Sequence, residues 1–275
     1  MSDIQSVQPI DLEALKRRQQ ATWSAGDYAV VGTTLQIVGE TLCEAMDLRA
    51  GQRVLDVAAG NGNVALAAAR RWCEVTATDY VPALLEQARE RAAGERLPMT
   101  FREADAEALP FADASFDAVV STFGVMFVAD HDRAAAELIR VCRPGGKIGM
   151  ANWTPEGFIG QLFKTIGKHV PPAPGARSPA LWGTRPRLAE MFEAQSRSIT
   201  AADRDFVFRY RSVAHWLEVF RTQYGPTLKA FAALQPPAQA ALEGDLRELI
   251  ARFNRSTDGD LVIPSTYLEV VITRR

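Results

Sequence analysis

Between residues 50 and 151 the chain alternates short apolar runs with apolar positions at helical spacing, as a parallel α/β sheet requires. Residues 53–57 read as a compact strand with apolar residues around one acid, and 63–72 as an alanine-rich helix. Val75, Thr76 and Thr78 mark a second strand at 74–78. Pro82 suits the first turn of a helix, where its missing N–H is no loss, and Leu84, Leu85, Ala88 and Ala92 recur behind it at helical spacing. Residues 99–103 and 116–122 give the third and fourth strands. Asp130 is a good N-cap for a helix carrying Ala134, Leu138 and Val141, which Pro144-Gly145-Gly146 ends before a fifth strand at 147–151. The five strands are expected to be joined by helical crossovers, right-handed by default. With two later strands, 205–210 and 267–273, the pattern predicts an α/β fold: a doubly wound, mostly parallel seven-stranded Rossmann-like sheet.

Two stretches stand outside this rhythm. Ahead of the sheet, 11–22 and 33–46 read as helices, the second with Leu35, Val38, Leu42 and Met46 on one face, around a turn at 23–28. Beyond the fifth strand, 171–186 is dense in proline and small residues and reads as a mobile loop, followed by helices at 213–223 and 238–253. The predicted organisation is one overall domain: N-terminal helices (1–50), a sheet core (51–155), and a part that completes the sheet and caps its mouth (156–275).

Composition narrows the function classes. With 275 residues and 47% hydrophobic content the chain can bury a sizeable core. A net charge of −2 argues against a nucleic-acid partner, which calls for a basic surplus. The cysteines Cys43, Cys73 and Cys142 form no CxxC pair, which excludes a thiolate zinc cluster and suits a reducing compartment. The first residues lack the apolar core of a signal peptide, and the longest nearly apolar stretch, 118–129, is too short for a bilayer. A cytoplasmic protein without membrane insertion is expected.

The informative chemistry lies in residues 54–65, VLDVAAGNGNVA, which run from a strand through a tight turn into a helix. Gly60 and Gly62 let the backbone bend and a ligand approach, and the helix from Asn63 aims free N–H groups at that ligand. The loop also satisfies a loose dinucleotide fingerprint. Asp79 ends the second strand, 19 positions after Gly60, where a carboxylate accepts from both ribose hydroxyls. Asp56 discriminates: against the loop, it opposes a pyrophosphate and suits a phosphate-free, cationic ligand such as S-adenosylmethionine. The bland alternative for Asp56 is a carboxylate that caps loop or helix amides.

These residues resemble the class I S-adenosylmethionine-dependent methyltransferases, in particular the type 11 group related to quinone-biosynthesis C-methyltransferases. The resemblance rests on VLDVAAGNGNVA (54–65), ATDYVPALLEQAR (77–89), EADAEALPFADASFDAVVSTFGVMFV (103–128) and ELIRVCRPGGKIGMANW (137–153). It implies that Asp56, Ala58, Gly60 and Gly62 surround the methionine part of the cofactor and that Asp79 and Tyr80 hold the ribose and adenine side. Asp105 and Ala106 then flank the adenine edge, Thr122 and Phe123 line the pocket after the fourth strand, and Trp23 and Tyr28 form an aromatic lid. Ala58 departs from the family, where many members have glycine.

The acceptor is expected to be a small, largely apolar molecule, aromatic ones included, under the later part of the chain. Trp153, Phe158, His169 and Trp182 are its candidate contacts, whereas Trp216 and Phe220, four apart on one helix, are expected to pack the core. His131 reads as an exposed first-turn residue, His215 as a packing residue, and Lys16-Arg17-Arg18 as a solvated helix face. No metal-ligand spacing and no Gly-x-Ser-x-Gly elbow occur. Methyl transfer from a sulfonium needs orientation and dryness before it needs a base, so no catalytic residue is named. An NAD(P)-dependent oxidoreductase and a non-catalytic cofactor-binding module are the alternatives.

Overall fold

The computed structural model describes residues 11–275. Strands β1 (Arg53–Val57), β2 (Glu74–Asp79), β3 (Met99–Glu103), β4 (Phe116–Thr122), β5 (Cys142–Trp153), β6 (Ser196–Tyr210) and β7 (Leu261–Arg274) form one sheet. Its order is β3-β2-β1-β4-β5-β7-β6, parallel throughout except that β7 runs antiparallel to both neighbours. Helices α1 (Leu12–Trp23), α2 (Tyr28–Gly32) and α3 (Gln36–Ala45) precede β1. Helices α4 (Asn63–Arg70), α5 (Pro82–Gly94) and α6 (His131–Val141) are the crossovers. Between β5 and β6 lie α7 (Phe158–His169) and α8 (Arg185–Phe192), and between β6 and β7 lie α9 (Val213–Gln223), α10 (Gly225–Ala233) and α11 (Pro236–Phe253).

Side-chain alternation assigns the helices to faces. Val54, Ala118 and Val120 join Leu42, Met46, Val64 and Ala68 from α3 and α4 in one core layer. Leu55, Val57 and Val119 point the other way, into a larger layer with Ala134, Leu138 and Val141 of α6. The strand order reverses between β1 and β4, so the crevice above their carboxyl ends is the natural ligand site of such a sheet.

Several elements differ from the sequence expectation, each for a local reason. The connection between β3 and β4 contains no helix; Asp105 caps a tight turn by accepting from the Glu107 N–H, and Pro110 follows. β6 starts nine residues earlier than the apolar alternation indicates, because it is an edge strand whose N-terminal half is largely exposed on both faces. The proline-rich segment 171–186 is ordered in its second half. There Pro179–Gly183 forms a 3-10 turn with Trp182 wholly buried, and a Cβ on Gly183 would lie 2.1 Å from the Trp153 carbonyl oxygen. His131 is buried rather than exposed: its ring lies against Trp182, and burial, aided by Arg187 and Arg177, pushes its pKa down to about 4. The three cysteines are free and buried. No helix among the described residues is long and apolar enough to cross a membrane.

Candidate functional site

The loop after β1 is built from left-handed backbone. Ala58, Gly60 and Gly62 have φ of +54°, +56° and +84°. At Ala58 this conformation costs an L-residue about 1 kcal/mol, which is the physical reason glycine is favoured there. The two glycines serve different needs. The missing Cβ of Gly60 faces the Tyr28 ring, 3.5 Å away across the cleft, whereas that of Gly62 faces Ala88 of α5 at 3.0 Å and permits close packing of α4 on α5. Gly62 is also the N-cap of α4.

Around this loop gather carboxylates. Asp79 is buried and accepts from the Gly60 and Val81 N–H groups, both at 2.9 Å. Burial outweighs those bonds and pushes its pKa up to about 6. Asp56 lies wholly buried beneath the loop, not on the cleft wall. Its Oδ2 accepts from the Ala65 N–H in the first turn of α4, as the bland alternative expects, while Oδ1 has no partner; burial holds its pKa well above the carboxylate range. Asp105 and Glu107, after β3, meet Lys16 of α1 at 2.6 and 2.9 Å. Lys16 therefore belongs to the site rather than to a solvated face.

One cleft follows the crevice across the strand ends. Asp105 and Ala106 line it above β3, Asp79 and Tyr80 above β2, Ala58 and Gly60 above β1, and Thr122 and Phe123 above β4. Trp23 and Tyr28 complete the wall, so ten of the twelve residues singled out around the cofactor line one cavity; Asp56 and Gly62 lie behind it. Of its lining residues Lys16 is the one cation.

The β4 end is aromatic. Trp23 packs against Phe127 (4.7 Å between ring centroids), Tyr28 (5.5 Å) and Tyr224 (5.8 Å), and Phe127 against Phe163. The N-terminal helices dock directly on the cap. A Cβ on Gly225 would lie 2.1 Å from the Thr22 carbonyl oxygen and one on Gly26 2.6 Å from that of Gln223. Trp153, Phe158, His169 and Trp182 do not reach the cleft. Trp153 stacks behind Phe123 at 3.9 Å, Phe158 and Trp182 are wholly buried in the core, and His169 pairs with Asp245 at 3.1 Å. Sequence reasoning missed Phe127 and Val128, which line the cleft, and Tyr224, which packs on Trp23. On α1 a signal was present, since Lys16, Gln19, Gln20 and Trp23 share one helical face.

Comparison with known proteins agrees with this geometry. The family described as methyltransferase domain matches residues 55–150. An uncharacterised protein of Mycobacterium tuberculosis is 42% identical over 84% of this chain and 86% of its own length. A demethylmenaquinone methyltransferase of Deinococcus radiodurans is 40% identical over 46% of this chain and 54% of its own. A demethylmenaquinone methyltransferase of Thermus thermophilus is 38% identical over 53% of this chain and 68% of its own. The chain belongs to the class I S-adenosylmethionine-dependent methyltransferases, type 11 group. The YcgJ protein of Bacillus subtilis shares the fold, with a TM-score of 0.60, 20% identity and coverage of 89% of this chain and 99% of that one. The methyltransferase uses S-adenosylmethionine, and the oxidoreductase alternative is not favoured. The cleft suits that cofactor: three carboxylates, Asp79, Asp105 and Glu107, line it beside its one cation, and no cluster of cations awaits a phosphate.

Proposed function

We propose that the methyltransferase acts on a small, largely apolar acceptor seated at the aromatic β4 end of the cleft. The observation that carries this reading is the chemical contrast between the two ends of one cavity, carboxylates above β2 and β3 and rings above β4. On this reading Asp105, Ala106 and Tyr80 hold the adenine side, Asp79 the ribose, and Ala58 and Gly60 flank the methionine part. Asp56 and Gly62 act from beneath, by shaping the loop. Trp23, Phe127 and Val128 face the acceptor, and Tyr28 stands between the two ends. Trp153 acts by backing Phe123, while Phe158, Trp182 and His169 serve the fold.

Bound at this site, S-adenosylmethionine supplies an already activated methyl group. The chain's own residues then have to orient the acceptor and exclude water, which the rings of Trp23, Tyr28 and Phe127 are placed to do. Burial raises the pKa values of Tyr28 and Tyr224, so both hydroxyls stay protonated at neutral pH and can donate a hydrogen bond. The relative named for demethylmenaquinone points the same way, to a small molecule rather than a polymer. The net charge of −2 supports that too.

Two measurements test the placement. Phe127→Ala is expected to raise the acceptor KM about tenfold, from lost apolar contact, with S-adenosylhomocysteine affinity within about twofold of wild type. Amide exchange across 23–28 is expected to slow when S-adenosylhomocysteine binds. An unchanged acceptor KM removes the acceptor site, and unchanged exchange removes the lid.

A further inference from the structure

Helix α1 is held on the body of the protein in an unusual way. It has 12 residues and none of them is fully buried. A helix of that length is marginal in water without a packed face. Its seat instead depends on polar contacts along one face, with Trp23 at the C-terminal end. The Lys16 ammonium donates to Asp105 Oδ2 at 2.6 Å and lies 2.9 Å from Glu107 Oε2, and the Gln20 amide donates to the Tyr80 carbonyl at 2.6 Å.

Glu107 extends this contact to the far side of the cleft. It is buried, and its second oxygen accepts from the Ala129 and Asp130 N–H groups at 2.8 and 2.9 Å. Those amides end the segment that carries Phe127 and Val128 in the aromatic wall. One carboxylate thus bonds the cation of α1 with one oxygen and the acceptor-side segment with the other. Gln19, on the same face of α1, lines the cleft with a buried Oε1 that has no partner among the described residues.

We infer that Lys16 is a positioning residue that latches α1 over the bound cofactor and, through Glu107, couples closure of that helix to the order of the acceptor wall. The inference rests on the cofactor placement proposed above. With the latch closed, a hydrogen-bond donor on the bound cofactor can satisfy Gln19, so ligand binding and helix closure favour one another. When α1 leaves, Asp105 and Glu107 lose their cation and the ligand loses Gln19. The latch therefore governs how fast cofactor and demethylated product leave.

The test compares Lys16→Met and Lys16→Arg with Arg17→Met, an exposed control on the same helix. Release of S-adenosylhomocysteine is followed by stopped flow, and amide exchange is read on the ligand-free protein. Lys16→Met is expected to speed release roughly tenfold, the scale of a lost hydrogen bond to a charged group. It is also expected to speed exchange in both 12–23 and 125–130. Added salt should accelerate release from wild type and leave the Lys16→Met rate nearly flat. Lys16→Arg should stay within about threefold of wild type, since it keeps the charge. Wild-type release from Lys16→Met, or faster exchange confined to 12–23, overturns the latch. If instead Asp79→Ala leaves S-adenosylhomocysteine binding intact, it is the cofactor placement that fails.

Discussion

Gly124→Ala is expected to destabilise the methyltransferase by about 3 kcal/mol, and to abolish measurable cofactor binding in the fraction that folds. A Cβ at this position would sit 2.1 Å from the Ala58 carbonyl oxygen and 2.8 Å from the Ala58 Cβ. Neither side can easily yield. Ala58 already holds a left-handed φ, and the next residue is pinned by its N–H bond to the Thr78 carbonyl at 2.8 Å. On the other side the Ser121 hydroxyl donates to the Val57 carbonyl at 2.7 Å and accepts from the Val125 N–H at 3.0 Å. The added methyl group must therefore push the β1 loop out of the shape that frames the cleft. Ala58→Gly, which relieves the left-handed strain, is the contrasting change and should alter stability by no more than about 1 kcal/mol. Urea unfolding and calorimetry with S-adenosylhomocysteine read both variants. Wild-type values for Gly124→Ala would mean that the two loops are not braced against each other.

Asp79 carries the second large effect. Its substitution by alanine should weaken S-adenosylmethionine binding by about 1.5–3 kcal/mol, or roughly 10- to 150-fold, the range for hydrogen bonds to a charged group. The loss has two parts, because the same carboxylate accepts from Gly60 and so shapes the loop. A pH series separates this residue from its neighbours. With its pKa pushed up to about 6, Asp79 becomes protonated as the pH falls through 6. The ionised form is the better acceptor for ribose hydroxyls, so affinity should fall by up to about tenfold per pH unit below that point. Stability of the ligand-free protein moves in the opposite sense. A folded pKa above the unfolded one means that this group's stabilising contribution is fully present below about pH 4 and is lost as the pH rises through 6. Asp79→Asn should flatten both slopes. Identical pH profiles for Asp79→Asn and wild type would remove Asp79 from the ribose position.

The same local rules explain what could be read in the chain and what could not. The cores of β1 to β4 were legible because each is short, half apolar and bounded by turn residues or a helix cap. The loop at 58–62 was legible for a similar reason, since glycine spacing after a strand has few uses. The acceptor side was not. Trp153, Phe158 and Trp182 are rich in aromatic surface, but nothing in their spacing says whether a ring faces a cleft or a core, and the fold turns all three inward. Tyr224 meets Trp23 beside two backbone contacts between distant segments, at Gly26 and Gly225, Phe127 reaches the same ring from the segment after β4, and no periodicity encodes either meeting. Lys16 reads as part of a charge run until the β3–β4 connection brings two carboxylates to it.

The most direct test of the central claim is a transfer assay. Purified protein is incubated with methyl-labelled S-adenosylmethionine and, in parallel, with small apolar ring compounds bearing hydroxyl, thiol or activated carbon positions, with polar metabolites, with nucleic acid and with protein. The account predicts label in members of the apolar set, with the rate reduced in Phe127→Ala through acceptor KM. Label in nucleic acid or protein and none in the apolar set would contradict it.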